Sequence, residues 1–255
     1  MRHKVIFNSD DFGYSRGVNY GIIDAYSKGI LTSTTLMANM PGFQHAIALK
    51  KQHPHLGVGV HLTLTCGKPL LANKVPSLVN GENFHPLNFY DCDFKINPDE
   101  LFAEWDAQIN KVIQTGIQPT HLDSHHHTHT MGGNQEIVIE LSKKYNLPVR
   151  GNFQHQNKIK HVDYFEPFFD DVGSASGETP TGLPLETYLN QLLDQIKSHS
   201  STEIMCHAAY LDLALLEGSS FQYPRLRQVE FMINSEFANK IRHDPTIQLI
   251  HYGEL

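Results

Sequence analysis

The chain has 255 residues and a formal net charge of -7, with 40% apolar and 18% charged residues. That length is enough for one large α/β domain across residues 1–255. The acidic balance excludes a nucleic-acid binder, which needs clustered Lys and Arg to displace counterions. No run of about 18 apolar residues could cross a membrane, and residues 1–7 lack the apolar stretch of a secretory leader. The three cysteines, Cys66, Cys92 and Cys206, are odd in number and far apart, which predicts reduced thiols in a cytoplasmic protein.

Residues 4–9 read as a first buried strand, and residues 18–28 as a helix with Ser15 as N-cap and Gly29 as its stop. Residues 31–37 form a Thr-rich strand, followed by a helix over 46–52 that ends before Pro54. Residues 57–64 alternate Val58, Val60, Leu62 and Leu64 with Gly59, His61 and Thr63, a period of two that predicts a third strand. Residues 65–96 lose all periodicity, and a segment of that length predicts a lid or substrate loop. Asn97, Pro98 and Glu100 then start a helix with Leu101, Trp105, Ile109 and Val112 on its buried stripe.

A strand over 121–124, a helix over 135–145 and a short strand over 148–150 follow. Residues 151–182 are irregular. A helix over 185–197, a strand over 203–206, a helix over 225–241 broken near Asn234, and a strand over 247–251 complete the chain. Strand–helix alternation of this kind predicts a parallel α/β barrel with its helices outside.

In such a barrel the strand C-terminal ends converge on one mouth, where active sites lie. Asp10 and Asp11, His61, the 121–125 segment and His207 all stand at strand ends or on strand faces. The chain has 17 histidines, and His121, His125, His126, His127 and His129 fall within nine residues, which predicts a metal site. Alternation places His121, Asp123 and His125 on one face, so Asp123 is expected to accept the spare ring N–H of a ligating histidine. Adjacent strand residues point to opposite faces, so Asp10 and Asp11 can serve one site only if the strand ends before them. One carboxylate and two imidazoles with open positions suit a divalent cation carrying water. A neighbouring base and acid would complete an amide or ester hydrolase. Taken singly, the Asp pair also fits a solvated turn, and His61 or His207 a hydrogen-bonded core histidine.

Asn8-Ser9-Asp10-Asp11-Phe12-Gly13, Thr32-Ser33-Thr34-Thr35-Leu36-Met37-Ala38-Asn39, Val58-Gly59-Val60-His61-Leu62, His121-Leu122-Asp123-Ser124-His125-His126-His127 and Glu203-Ile204-Met205-Cys206-His207 occur in this order. Together they resemble the YdjC-like carbohydrate deacetylases, which are similar in fold to the NodB-type polysaccharide deacetylases. The resemblance implies an irregular seven-stranded α/β barrel that removes the N-acetyl group from a small N-acetylated saccharide or chito-oligosaccharide, free or phosphorylated. It implies that Asp11, His61 and His125 hold the metal, Mg²⁺ ahead of Zn²⁺. Asp10 would be the base and His207 the acid, and Arg150 would orient a carboxylate, Asp10 ahead of others, or the substrate. Asn39 and Tyr210 would touch substrate, and the chain would form a homodimer. The family often carries Ala where Ser9 stands and Pro where Ala208 stands. The second departure is expected to loosen the loop that holds His207.

Three other readings compete. Gly13-Tyr14-Ser15-Arg16-Gly17 matches the G-x-S-x-G elbow of a serine esterase, with Ser15 as nucleophile. Asp10 and Asp11 are a carboxylate pair such as a glycosidase uses, but glycosidase carboxylates stand about 5–9.5 Å apart across the scissile bond. A non-catalytic metal- or sugar-binding protein would need Asp11, His61 and His125 without Asp10, Arg150 and His207.

Overall fold

Strand β1 (His3–Phe12) is buried from Val5 onward on both faces. The computed structural model describes residues 2–91, 93–153, 158–173 and 182–255; Cys92 and parts of the 151–182 stretch lie outside them. After β1 come α1 (Arg16–Lys28), β2 (Ser33–Leu36), α2 (Phe43–Gln52) and β3 (Gly57–Leu62). A two-residue hairpin, β4 (Val79–Asn80) and β5 (Asn83–Phe84), precedes α3 (Pro98–Ile113), β6 (Leu122–Ser124) and α4 (Asn134–Tyr145). Then follow β7 (Tyr164–Glu166), α5 (Leu185–Ser198), β8 (Ser201–Cys206), α6 (Leu213–Gly218), α7 (Tyr223–Asn234), α8 (Glu236–His243) and β9 (Ile247–Leu249).

The main sheet has seven parallel strands in the order β6-β3-β2-β1-β8-β7, with β9 paired to β1. β9 lies against His3–Val5, and β2 pairs with the same edge of β1 further along, at Asn8–Phe12. The parallel α/β architecture read from the sequence is the one the chain adopts, as a curled half-barrel whose outer strands β6 and β7 do not pair. The predicted strand over 148–150 is a single bridge, Leu122 to Val149, on the free edge of β6. β7 was not legible in the irregular 151–182 stretch. The helix read over 225–241 breaks after Asn234, where its break was expected, because the Ser235 hydroxyl caps α8 by accepting from the Ala238 N–H.

Alternation along the strands sorts the side chains into two regions. Val5 and Phe7 on β1, Val58, Val60 and Leu62 on β3, and Ile204 and Cys206 on β8 face outward into the main core under the helices. The residues between them face the barrel interior, which is small or polar: Asn8, Asp10, Thr35, Gly59, His61, Asp123 and Glu203 are all buried there. Only a small apolar floor of Ile6, Val162, Ile250 and Tyr252 sits beneath them. Gly59 makes this possible, since a Cβ there would stand 2.5 Å from the His121 ring.

The 65–96 segment is anchored along its length. The Glu104 carboxylate of α3 accepts from the Leu70 and Leu71 N–H groups, both at 2.9 Å. Glu100 accepts from the Ser77 N–H and hydroxyl. Val75, Leu78, Phe84 and Tyr90 are buried against the core. The segment supplies Thr65, Cys66 and Leu87 to one wall of the cleft described below. Among the described residues no helix is long and apolar enough to cross a membrane.

Candidate active site

Asp10 and Asp11 share a site because β1 is bulged, and not because it has ended. Its pairing with β2 shifts register between Ser9 and Phe12. Asp11 adopts a left-handed backbone with φ 70°, rare for a side chain other than Gly, Asn or Asp. The sequence expectation that the strand stops before the pair is therefore corrected. The twist turns both carboxylates toward the mouth while β1 continues to Phe12.

Asp11 Oδ1 lies 3.4 Å from His61 Nε2 and 3.0 Å from His125 Nδ1. One donor atom from each of these three residues lies within 4.8 Å of the others. On the far side of the His61 ring, Nδ1 lies 2.7 Å from Asp123 Oδ1 and 3.2 Å from the Thr35 hydroxyl. With Nδ1–H donated to Asp123, the Nε2 lone pair points at Asp11 and the space a cation would take. Burial opposes a charge on His61, but Asp123 and Asp10 outweigh it and push its imidazole up to about 10. A site that prefers a positive charge to this degree suits a metal ion as well as a proton. Asp10, His61 and Asp123 form a second cluster of possible donors, but Arg150 and the Asp123–His61 hydrogen bond already occupy those carboxylates.

His125 reaches Asp11 through an unusual turn. His126 and His127 both have positive φ, 56° and 53°, so the chain reverses sharply after β6. Two consecutive non-glycine residues in that region store strain, a feature that concentrates at functional sites. Burial, with the charges of His125 and Arg150 added, brings His126 down to about 4 and His127 to about 3. Both present neutral imidazoles to the cleft.

Arg150 is fully buried and grips Asp10 in a two-armed pair, Nη1 to Oδ2 at 2.8 Å and Nη2 to Oδ1 at 2.7 Å. Burial would raise the Asp10 carboxyl, yet Arg150 outweighs it and holds the group well below the usual carboxylate range. Of the targets that the resemblance implied for Arg150, Asp10 is the one in contact with it here. His207 stands across the cleft with Nε2 4.0 Å from Asp10 Oδ2. Its Nδ1 is 2.8 Å from Asp170 Oδ1, and Gln228 donates to the same carboxylate at 3.0 Å. Burial lowers the His207 pKa, but Asp170 outweighs it and raises the net value above the ordinary histidine range. A cleft of about 580 Å³ opens over these groups, with Asp10, His125, Asp170, His207, Phe221 and Arg225 on its walls.

A family model described as "YdjC-like protein" matches residues 4–243. The chain belongs to the YdjC-like family. A carbohydrate deacetylase of Halalkalibacterium halodurans is 40% identical over 243 residues, covering 93% of this chain and 98% of that protein. A carbohydrate deacetylase of Brevibacillus brevis is 37% identical over 260 residues, covering 99% of each. A crystal structure from Enterococcus faecalis V583, of a protein named for cellobiose-phosphate cleavage, superposes with a TM-score of 0.87 at 33% identity. That superposition covers 100% of this chain and 99% of that one.

In this YdjC-like chain, two sequence-predicted site residues lie apart from the cleft chemistry. The Tyr210 hydroxyl donates to Asp24 on α1 at 2.6 Å, and Tyr210 is not among the residues lining the cleft. The Asn39 side-chain N–H₂ donates to the Cys66 and Lys68 carbonyls, and its oxygen accepts from Thr63; it fastens the 65–96 segment. Ser15 is a buried N-cap whose hydroxyl accepts from the Val18 N–H at 3.2 Å, which removes the esterase nucleophile. Asp10 and Asp11 sit on one bulge and are held by Arg150 and by the histidines, which disfavours a glycosidase pair across a sugar bond. Neither does the loop after His207 hang loose: its amide N–H groups are bonded to Gln228 and Ser9.

Sequence reasoning missed three residues here. Asp170 lies in a stretch without period, so nothing flagged it. Arg225 was read only as a helix start, yet its Nη1 lies 2.8 Å from Asp11 Oδ2 and helps hold that carboxyl well below its usual range. Glu203 was quoted only within a motif; its inward position on a buried strand was the available signal.

Proposed function

We propose that this chain is a metal-dependent carbohydrate deacetylase. It hydrolyses the acetamido group of a small N-acetylglucosamine-type sugar and releases acetate and the free amine. The observation that carries this reading is the convergence on one cleft of Asp11, His61 and His125 with an Arg150-clamped Asp10 and an Asp170-paired His207. A non-catalytic binder would have no use for the last four. Near-full-length relatives named carbohydrate deacetylases support the same reaction class.

Asp11, His61 and His125 would hold the cation, which when bound would polarise the acetyl carbonyl and lower the pKa of a water. The donor set fits that role: one carboxylate, two imidazoles, and a tautomer of His61 set by Asp123. By donor chemistry two imidazoles favour Zn²⁺ over Mg²⁺, the reverse of the order implied by resemblance. Asp10 stays ionised at any working pH because Arg150 holds it so. A carboxylate that low is a weak base at rest; its fixed oxygens orient the water and take its proton as the new C–O bond forms. His207, whose protonated form Asp170 favours against the opposing effect of burial, gives its proton to the amide nitrogen as the C–N bond breaks. One water is consumed: its oxygen leaves in acetate, the amine carries away the His207 proton, and the proton taken up by Asp10 restores that of His207, whose Nε2 stands 4.0 Å from Asp10 Oδ2. A cleft of about 580 Å³ suits a short saccharide.

The test is acetate release from diacetylchitobiose, its 6-phosphate and N-acetylglucosamine after EDTA treatment, with Mg²⁺ or Zn²⁺ added back. Metal-restored release from any of them supports the reading and ranks the sugars and ions. No acetate from a preparation shown to carry bound metal overturns it.

A further inference from the structure

The groups that hold the proposed base continue well below the cleft. Arg150 presents two edges. Its Nη1/Nη2 edge grips Asp10, and its Nε/Nη2 edge meets a single oxygen, Glu203 Oε1, at 3.0 and 2.8 Å. Nη2 thus donates to both Asp10 and Glu203, and it also stands 3.0 Å from Asp123 Oδ2, an ion-pair contact without a hydrogen bond, so three carboxylates surround one nitrogen. Where the guanidinium settles therefore depends on how firmly each carboxylate is held. Asp123 is held by His61. Glu203 is held by the Tyr252 hydroxyl, which donates to its Oε2.

Tyr252 comes from the opposite end of the barrel. It is 1% exposed and stacks flat on His121, with centroids 3.9 Å apart at 14°. The turn that carries it is braced by its own capping box between His251 and Glu254. Lys4 on β1 also donates to the Glu254 and Leu255 carbonyls. A hydroxyl committed to a fully buried carboxylate, on a side chain locked by stacking, is more than an apolar floor requires.

We propose that Tyr252 and Glu203 are positioning residues for the catalytic base. The 251–255 turn sets the rotation of Glu203, Glu203 sets the guanidinium of Arg150, and Arg150 sets both oxygens of Asp10. This rests on the deacetylase reading for its kinetic consequence, and on the geometry alone for its structural one.

Tyr252→Phe removes one oxygen and keeps the stacking ring. A shift of the base by about 1 Å can cost up to about 10²-fold in rate. The expected result is a kcat roughly 10-fold or more below wild type, with KM and metal affinity unchanged and the melting temperature little altered. Glu203→Gln, which keeps an acceptor for Arg150, is expected to retain far more kcat than Glu203→Ala. A crystal structure of Tyr252→Phe is expected to show the two-armed Arg150–Asp10 pair opened. An active wild type with unchanged kcat in Tyr252→Phe overturns the inference and leaves the deacetylase reading standing. A wild type that releases no acetate from any N-acetylated sugar overturns that reading instead. The crystal structure then decides the positioning role: an intact Arg150–Asp10 pair refutes it and an opened pair supports it.

Discussion

The Ala208 amide donates to the Ser9 hydroxyl at 2.9 Å, in a fully buried setting between β1 and the loop after β8. By the resemblance these are the two departures, with Ala implied at position 9 and Pro at position 208. Proline has no N–H to satisfy, and alanine at position 9 offers no acceptor. The departures therefore match each other: Ala208 exposes a donor and Ser9 supplies its partner. A buried N–H left without a partner costs about 1–3 kcal/mol. Ser9→Ala is expected to destabilise the protein by about that amount, read from urea unfolding midpoints. Adding Ala208→Pro to Ser9→Ala is expected to recover most of the loss. Strict additivity of the two changes in the double-mutant cycle would show that the positions are not coupled.

What was legible in the sequence follows the same physics. The alternation of Val58, Val60 and Leu62 with Gly59 and His61 gave both the strand and the inward face of its histidine, because a period of two needs only a few residues to show. Asp123 was legible for the same reason, whereas His125 lies just past the end of β6, in the turn that carries it to Asp11. The bulge at Asp11 was not legible, since a left-handed φ at one aspartate leaves no periodic trace. Asp170 was hidden by its place in a short, irregular connection after the three-residue β7. Tyr210 came from the resemblance alone, and it lies past the end of β8, where no strand alternation bears on its direction.

His207 offers a pH readout of its Asp170 partner. Asp170 raises the His207 pKa above the ordinary value despite burial. The acid form is full at low pH and is lost as pH rises through that raised value, so it should set the alkaline limb of kcat/KM. Asp170→Asn removes the charge that sustains it. The alkaline limb is expected to move to lower pH, with a smaller effect on the acidic side. A limb that stays in place after Asp170→Asn would assign the proton donor elsewhere.

Asp10 and Asp123 both contact Arg150, yet they should fail differently. Asp10 faces the cleft and His207, whereas Asp123 holds the far side of the His61 ring. Loss of such an outer partner typically costs about 10–100-fold in metal affinity or activity. Asp123→Asn is thus expected to weaken binding of added Zn²⁺ or Mg²⁺, measured calorimetrically on EDTA-treated protein. Asp10→Asn is expected to abolish acetate release with metal affinity retained, and His61→Ala to lose both. Full activity in Asp10→Asn would remove it as the base.

Gly59 limits how tightly the interior can be filled. A Cβ there would lie 2.5 Å from two atoms of the His121 ring and 2.8 Å from the His121 carbonyl oxygen. The ring cannot simply swing aside, because it is stacked on Tyr252 and fully buried. The carbonyl cannot move freely either, since it accepts the ladder bond from the Val60 N–H at 3.0 Å. Overpacking of a well-filled interior typically costs about 1–3 kcal/mol, and contact with backbone places this site toward the upper end. Gly59→Ala is expected to lower the unfolding midpoint accordingly. Adding His121→Ala should relieve the ring contacts and leave the carbonyl one, so the double variant should recover only in part relative to His121→Ala alone. A Gly59→Ala protein as stable as wild type would mean that β3 and β6 can separate at little cost, and that the interior is looser than these contacts imply.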